Sequence, residues 1–158
     1  MTIKIYAIGK LKDFYKSGCD EYLKRISGYS KIEVVEVKDE PIPDKPSQNE
    51  INKAKDNEGK RILALLKSNE YLVGLDLNKK EYTSEEFASF LKTSIENHGA
   101  NISFVIGGSY GLSNELKERV NSSISFSKLT FPHQLARLIL LEQIFRAFKI
   151  MNNETYHK

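Results

Sequence analysis

The chain has 158 residues, 40 % of them hydrophobic and 28 % charged, with a formal net charge of +3. That length is close to the modal size of one domain and the composition is that of a globular chain, which excludes a disordered or low-complexity protein. The small positive charge permits a polyanionic partner without requiring one, and Cys19, the single cysteine, excludes an intrachain disulfide and a cysteine-based metal site, in keeping with a reducing cytosol.

TIKIYAI (2–8) alternates and is β-branched, so it predicts a strand, and residues 12–26 place Tyr15, Cys19, Tyr22 and Ile26 at helical spacing. The apolar run at the N-terminus is too short and too interrupted by lysine for a signal peptide. No window approaches the roughly 20 apolar residues of a membrane helix, so a cytoplasmic protein without membrane attachment is expected. KIEVVEV (31–37) is a second strand, and DEPIPDKPS, with three of the four prolines, is an exposed loop. Ser47 and Glu50 form a capping box for a helix to about Lys67, with Ile62, Leu63, Leu65 and Leu66 as its buried part.

YLVGLDL (71–77) is apolar on both faces, as a central strand between helical layers requires. Thr83 and Glu86 form a second capping box, before a helix with Phe87, Phe90, Leu91, Ser94 and Ile95 on one face and Gly99 at its end. NISFVI (101–106) is another buried strand, Ser113 caps a short helix through Val120, and SISFS (123–127) is a short strand. Pro132 opens a last helix reaching about Met151, and the tail NNETYHK shows no periodicity. The alternation predicts one α/β domain over 1–158, with a mostly parallel sheet and helices on both faces. Loops after the strands ending near Asp76, Gly107 and Ser127 then share the carboxyl edge of the sheet, where ligands bind in such folds.

Gly107, Gly108, Ser109, Tyr110 and Gly111 spell G-x-S-x-G, the nucleophile elbow of serine hydrolases, and Glu142 and His157 follow in the order a triad needs. The next helix starts too late for an elbow, however, and no oxyanion segment lies upstream. No dinucleotide fingerprint follows the first strand, and no Walker lysine follows the glycines. The glycines therefore serve either close backbone approach to a ligand or a plain turn. His133, in the first turn of the last helix, is disfavoured as a cation by the helix dipole; it is either a proton acceptor or ligand contact, or a histidine bonded to its own loop. His98, beside Gly99, is expected at the surface near helix-end carbonyls. The last helix is apolar over far more than a 100° stripe, so it is either the central core helix or packs a second face on another subunit. Terminal residues ordinarily fray, yet Tyr156 and His157 are the side-chain types suited to stacking on a base and moving its proton.

Taken together, FVIGGSYGL (104–112), SISFSKLTFPHQLARLILLEQIFRAFKI (123–150), the terminal YHK and MTIKIYAIGKLKD at the start resemble the RlmH-type ribosomal RNA large-subunit methyltransferases, a minimal branch of the SPOUT class. The resemblance spans essentially the whole chain. It implies an α/β fold with a C-terminal trefoil knot, which general topology rules would not suggest. It also implies a homodimer with an active site drawn from both subunits, and transfer of a methyl group from S-adenosylmethionine to N3 of a pseudouridine in large-subunit rRNA on the assembled ribosome. The resemblance further implies S-adenosylhomocysteine as the product and a reaction that requires no metal. By the same resemblance, Leu75, Gly107, Phe126, Ser127, Lys128, Leu129, Thr130 and Phe131 would form the methyl-donor pocket. His133, or Tyr156 or His157 from the partner's tail, would take the N3 proton, and Arg137 and Lys158 would hold phosphate or stabilise charge on the ring. Two departures bear on the tail: Met151, Asn152 and Asn153 lack a basic residue expected there, and no acidic residue follows Lys158. The alternative from another class is a non-catalytic ribosome-binding protein of the same fold.

Overall fold

The computed structural model describes residues 2–99 and 101–157. Five strands form one parallel sheet in the order β2-β1-β4-β3-β5: β1 (Thr2–Ile8), β2 (Lys31–Val37), β3 (Tyr71–Leu75), β4 (Ile102–Ile106) and β5 (Ser122–Ile124). β4 lies between β1 and β3, and its residues are all buried, which is what its continuous run ISFVI requires.

Helices cover both faces. α2 (Gln48–Leu63) and α4 (Asn114–Arg119) pack together, where Tyr6, Ile62, Leu72, Val105, Leu112 and Leu116 form one core. On the other face, α5 (His133–Met151) packs between α1 (Asp13–Ile26) and α3 (Ser84–His98), with Leu140, Leu141, Ile144, Phe145 and Phe148 in the larger core. Ser47 and Thr83 each accept from the N–H three residues on, while Glu50 and Glu86 return the bond, so both capping boxes form as the sequence predicts.

Three boundaries differ from expectation, each for a local reason. α2 ends at Leu63, where the Leu65 N–H turns back to the Ile62 carbonyl, and Leu65 is left 50 % exposed rather than buried. Its buried residues sit earlier, at Ala54, Glu58, Gly59 and Ile62. β3 stops at Leu75, because Asn78 takes a positive φ of 60° and turns the chain. β5 covers 122–124 rather than 123–127: Ser125 makes only an isolated bridge with Glu81, and Phe126 and Ser127 leave the sheet. His98 stacks on the Tyr71 ring with centroids 4.0 Å apart, a contact that its position beside Gly99 does not reveal.

The helical layer fixes the tail. Glu154 accepts from Tyr29 Oη at 2.8 Å and pairs with Lys149 at 3.1 Å. The Tyr156 ring sits edge-on to Phe145, and its hydroxyl donates to Glu142 at 2.9 Å. No helix among the described residues is long and apolar enough to cross a membrane.

Candidate functional site

The loops after β3, β4 and β5 meet at the carboxyl edge of the sheet around a cleft of about 560 Å³. Leu75, Ile106, Leu112, Ile124 and Phe126 give it an apolar floor, and residues 107–111, Ser127 and residues 129–131 line its sides. That size and mixture suit a ligand with a flat apolar part and a few polar ends.

The glycine loop is shaped first by its own closure. Gly111 has φ +88°, and a Cβ on Gly107 would lie 2.4 Å from the Gly111 carbonyl carbon, against backbone that has no room to yield. The Gly111 N–H donates to the Gly108 carbonyl at 3.1 Å, which pins the turn. Behind it, Glu58 is buried and accepts from the Glu40 N–H at 3.0 Å; burial pushes its carboxyl pKa up, against that hydrogen bond. Nothing in the local pattern of α2 marks Glu58 as an inward-facing residue.

No serine-hydrolase triad forms among the described residues. Ser109 is exposed and forms no hydrogen bond to a histidine or carboxylate among the described residues. His157 instead takes Arg146 Nη1 at 3.2 Å on Nδ1 and meets Glu85 Oε1 at 2.6 Å through Nε2. Glu142 is engaged by Arg146 and Tyr156.

Of the residues assigned to a donor pocket, Leu75, Gly107, Phe126, Ser127, Leu129, Thr130 and Phe131 all line the cleft. Lys128 is exposed and does not. Ser127 shapes this segment by accepting the Leu129 N–H at 2.9 Å, which leaves Leu129 70 % exposed at the rim. His133 also lines the cleft, half-buried. Burial, with help from the neighbouring Arg137 charge and against Asp39, holds its pKa below the ordinary histidine value, so the imidazole is neutral at pH 7.

Arg137 is placed differently from a phosphate ligand. It is 2 % exposed, with Nη1 on Glu36 Oε2 at 2.5 Å and Nη2 donating to the Gly9 carbonyl at 3.0 Å, so its guanidinium is committed inside the chain. It joins α5 to the ends of β1 and β2 one turn below His133. Tyr156 and His157 lie on the outer side of α5, away from the cleft of their own chain. Burial, then hydrogen bonding with Tyr22 and Glu142, raises the Tyr156 pKa far above the phenol range, so it is a proton donor at neutral pH. Lys158 lies outside the described residues.

Sequence reasoning missed three charged groups in the cleft, Asp76, Lys79 and Lys117. Asp76 accepts the Leu77 N–H at 2.9 Å and stands 3.8 Å from Lys117 Nζ. Its signal was a lone carboxylate closing the apolar run YLVGLDL; Lys117 had none, since only the packing of α4 brings it to this edge.

Comparison with known proteins gives the chain a family. The family described as predicted SPOUT methyltransferase matches residues 1–157. The ribosomal RNA large subunit methyltransferase H proteins of Clostridium perfringens and Enterococcus faecalis are each 48 % identical over 159 aligned positions, covering 100 % of both chains. A solved structure of a probable methylase family protein from Haemophilus influenzae Rd KW20 superposes with TM-score 0.55 at 15 % identity, over 96 % of this chain and 66 % of that one, a likeness of fold.

Proposed function

The chain belongs to the SPOUT methyltransferase family, and from that premise we propose that it is an S-adenosylmethionine-dependent methyltransferase acting on N3 of a pseudouridine in large-subunit rRNA of the assembled ribosome, in the cytoplasm. The observation that carries the proposal is that seven of the eight positions expected to hold the methyl donor line one cleft, which also presents His133. The apolar floor formed by Leu75, Ile124 and Phe126 suits adenine, and the 127–131 backbone offers hydrogen-bonding groups at its edge. Asp76 and the two lysines can meet the ammonium and carboxylate of the methionine part.

The donor supplies an electrophilic sulfonium methyl and leaves as S-adenosylhomocysteine. His133 accepts the proton from N3 as the new N–C bond forms, and its depressed pKa keeps the nitrogen lone pair free for that task. Alignment of the two reactants contributes the larger share of the rate, because direct displacement needs no covalent enzyme intermediate.

The protein acts as a homodimer in this proposal, with Tyr156, His157 and Lys158 entering the cleft of the second copy. The half-buried Leu135 and Ile139 on α5, both outside the core cluster, support a packed partner. A knotted C-terminal segment is part of the same proposal: β5 pairs with β3, and the chain then returns to seat α5 between α1 and α3.

Transfer of tritiated methyl from S-adenosylmethionine to ribosomes from cells lacking the protein tests the reading. Label in a pseudouridine of large-subunit rRNA is expected, and no transfer overturns it. Removing residues 156–158 is expected to take transfer below detection while calorimetric donor binding stays within about twofold, since no described residue of the tail lines its own cleft.

A further inference from the structure

A second cleft, of about 540 Å³, opens beside the first. The two share Gly108, Ser109, Thr130, Phe131 and His133 as a common wall. The remaining lining of the second comes from Lys12, the N-cap of α1, and Tyr15 in its first turn, and from Pro132 and Gln134 at the start of α5. The Lys12 N–H donates to Gln134 Oε1 at 2.7 Å, so the α1 side is tied to the first turn of α5, one residue from His133.

A transfer between two substrates needs two compartments that touch at the reacting atoms, brought to about 3–3.5 Å of each other. His133 stands at the junction and is, among the described residues, the one histidine lining either cleft. The two compartments differ in character. The first has an apolar floor and both charge signs, whereas the second pairs the half-buried phenol ring of Tyr15 with the exposed ammonium of Lys12 and, among the described residues, carries no carboxylate. A flat aromatic face beside a cation matches an unstacked nucleotide: the ring takes the base, the ammonium the phosphate.

Resting on the methyltransferase reading above, we infer that the second cleft receives the methyl-accepting nucleotide, with Tyr15 stacked on its base and Lys12 paired with its phosphate, so that the N3 edge meets His133. Neither residue lines the first cleft, so their contribution falls on acceptor binding. Gln134 is a positioning residue that sets the distance between the Tyr15 side of the cleft and His133.

The test is steady-state methyl transfer to 70S ribosomes from cells lacking the protein, with donor binding measured in parallel by calorimetry, for the full-length chain and for Tyr15→Ala, Tyr15→Phe and Lys12→Ala. Loss of one base-stacking contact predicts a rise of about tenfold in KM for ribosomes in Tyr15→Ala, with donor Kd within twofold and near-normal KM in Tyr15→Phe. Lys12→Ala should raise KM several-fold and flatten its dependence on salt by about one ion. An active protein in which Tyr15→Ala and Lys12→Ala keep the normal KM and salt dependence overturns the acceptor cleft and leaves the methyltransferase reading standing. A fall in donor affinity matching the rise in KM makes Tyr15 a structural residue and overturns the inference too. A full-length chain that neither binds S-adenosylmethionine nor transfers methyl overturns the reading itself and the acceptor cleft with it.

Discussion

Glu70, at the amino edge of the sheet, and His133, at its carboxyl edge, are both titratable groups set against apolar packing, and the chain uses them in opposite ways. Glu70 is 5 % exposed and accepts from Ser103 Oγ at 2.5 Å, Tyr6 Oη at 2.9 Å and the Lys67 N–H at 3.0 Å. Arg119 closes the same end by donating to the carbonyls of Lys67 and Glu70. Burial by itself would raise the Glu70 pKa, but the three hydrogen bonds outweigh it and hold the carboxylate ionised below its ordinary range. Every polar group there is spent on another. At the carboxyl edge, His133, Asp76, Lys79 and Lys117 face an open cleft. Burial and then the Arg137 charge lower the His133 pKa, against the charge of Asp39. A satisfied cluster stabilises; an incompletely paired one is available to a ligand.

Substitutions at the two ends should therefore separate activity from stability. His133→Ala is expected to lower kcat for methyl transfer by about 10³-fold, the range of a lost general base, with unfolding free energy changed by less than about 1 kcal/mol. Equal kcat in the variant would remove the imidazole from the chemistry. Glu70→Ala leaves two hydroxyls and an amide without their acceptor, and should cost about 3 kcal/mol in urea unfolding while kcat of the folded enzyme is retained. A stability loss below 1 kcal/mol would mean that water replaces the carboxylate and that the end is not closed.

The smallest effect is on pH. The His133 pKa is lowered from 6.5, so the neutral base persists below that value and the acidic limb of kcat should fall below pH 6.5. A limb at or above 6.5 would contradict burial as the controlling influence. The sign for stability differs between the two ends. The depressed His133 pKa stabilises fully above 6.5 and less as the unfolded chain binds protons below it; the Glu70 contribution lasts down to about 4.5 and is lost as pH falls through its lower folded pKa.

Most of the element order was legible because its signals are local: two capping boxes, the Ser113 cap, and strands whose apolar runs match their burial. The placement of ligand loops at the carboxyl edge followed from a parallel sheet, and Leu75, Gly107, Phe131 and His133 do meet there. What sequence did not reveal depends on pairings distant along the chain. Glu70 finds Tyr6 and Ser103, 64 and 33 residues away, and Arg137 finds Glu36 across 101 residues. Nothing in α5 signals that the Arg137 guanidinium finds a carboxylate on β2 and a carbonyl just past β1. The breadth of the apolar surface on α5 likewise had two readings, and neighbours on both sides, α1 and α3, account for most of it within one chain.

Mass spectrometry of large-subunit rRNA from cells with and without this protein tests the central claim most directly. The account predicts a pseudouridine that carries one additional methyl only when the protein is present, with the methyl restored when purified protein and S-adenosylmethionine are added to the deficient ribosomes. Identical methylation in the two samples, or a difference confined to a nucleotide other than pseudouridine, would contradict it.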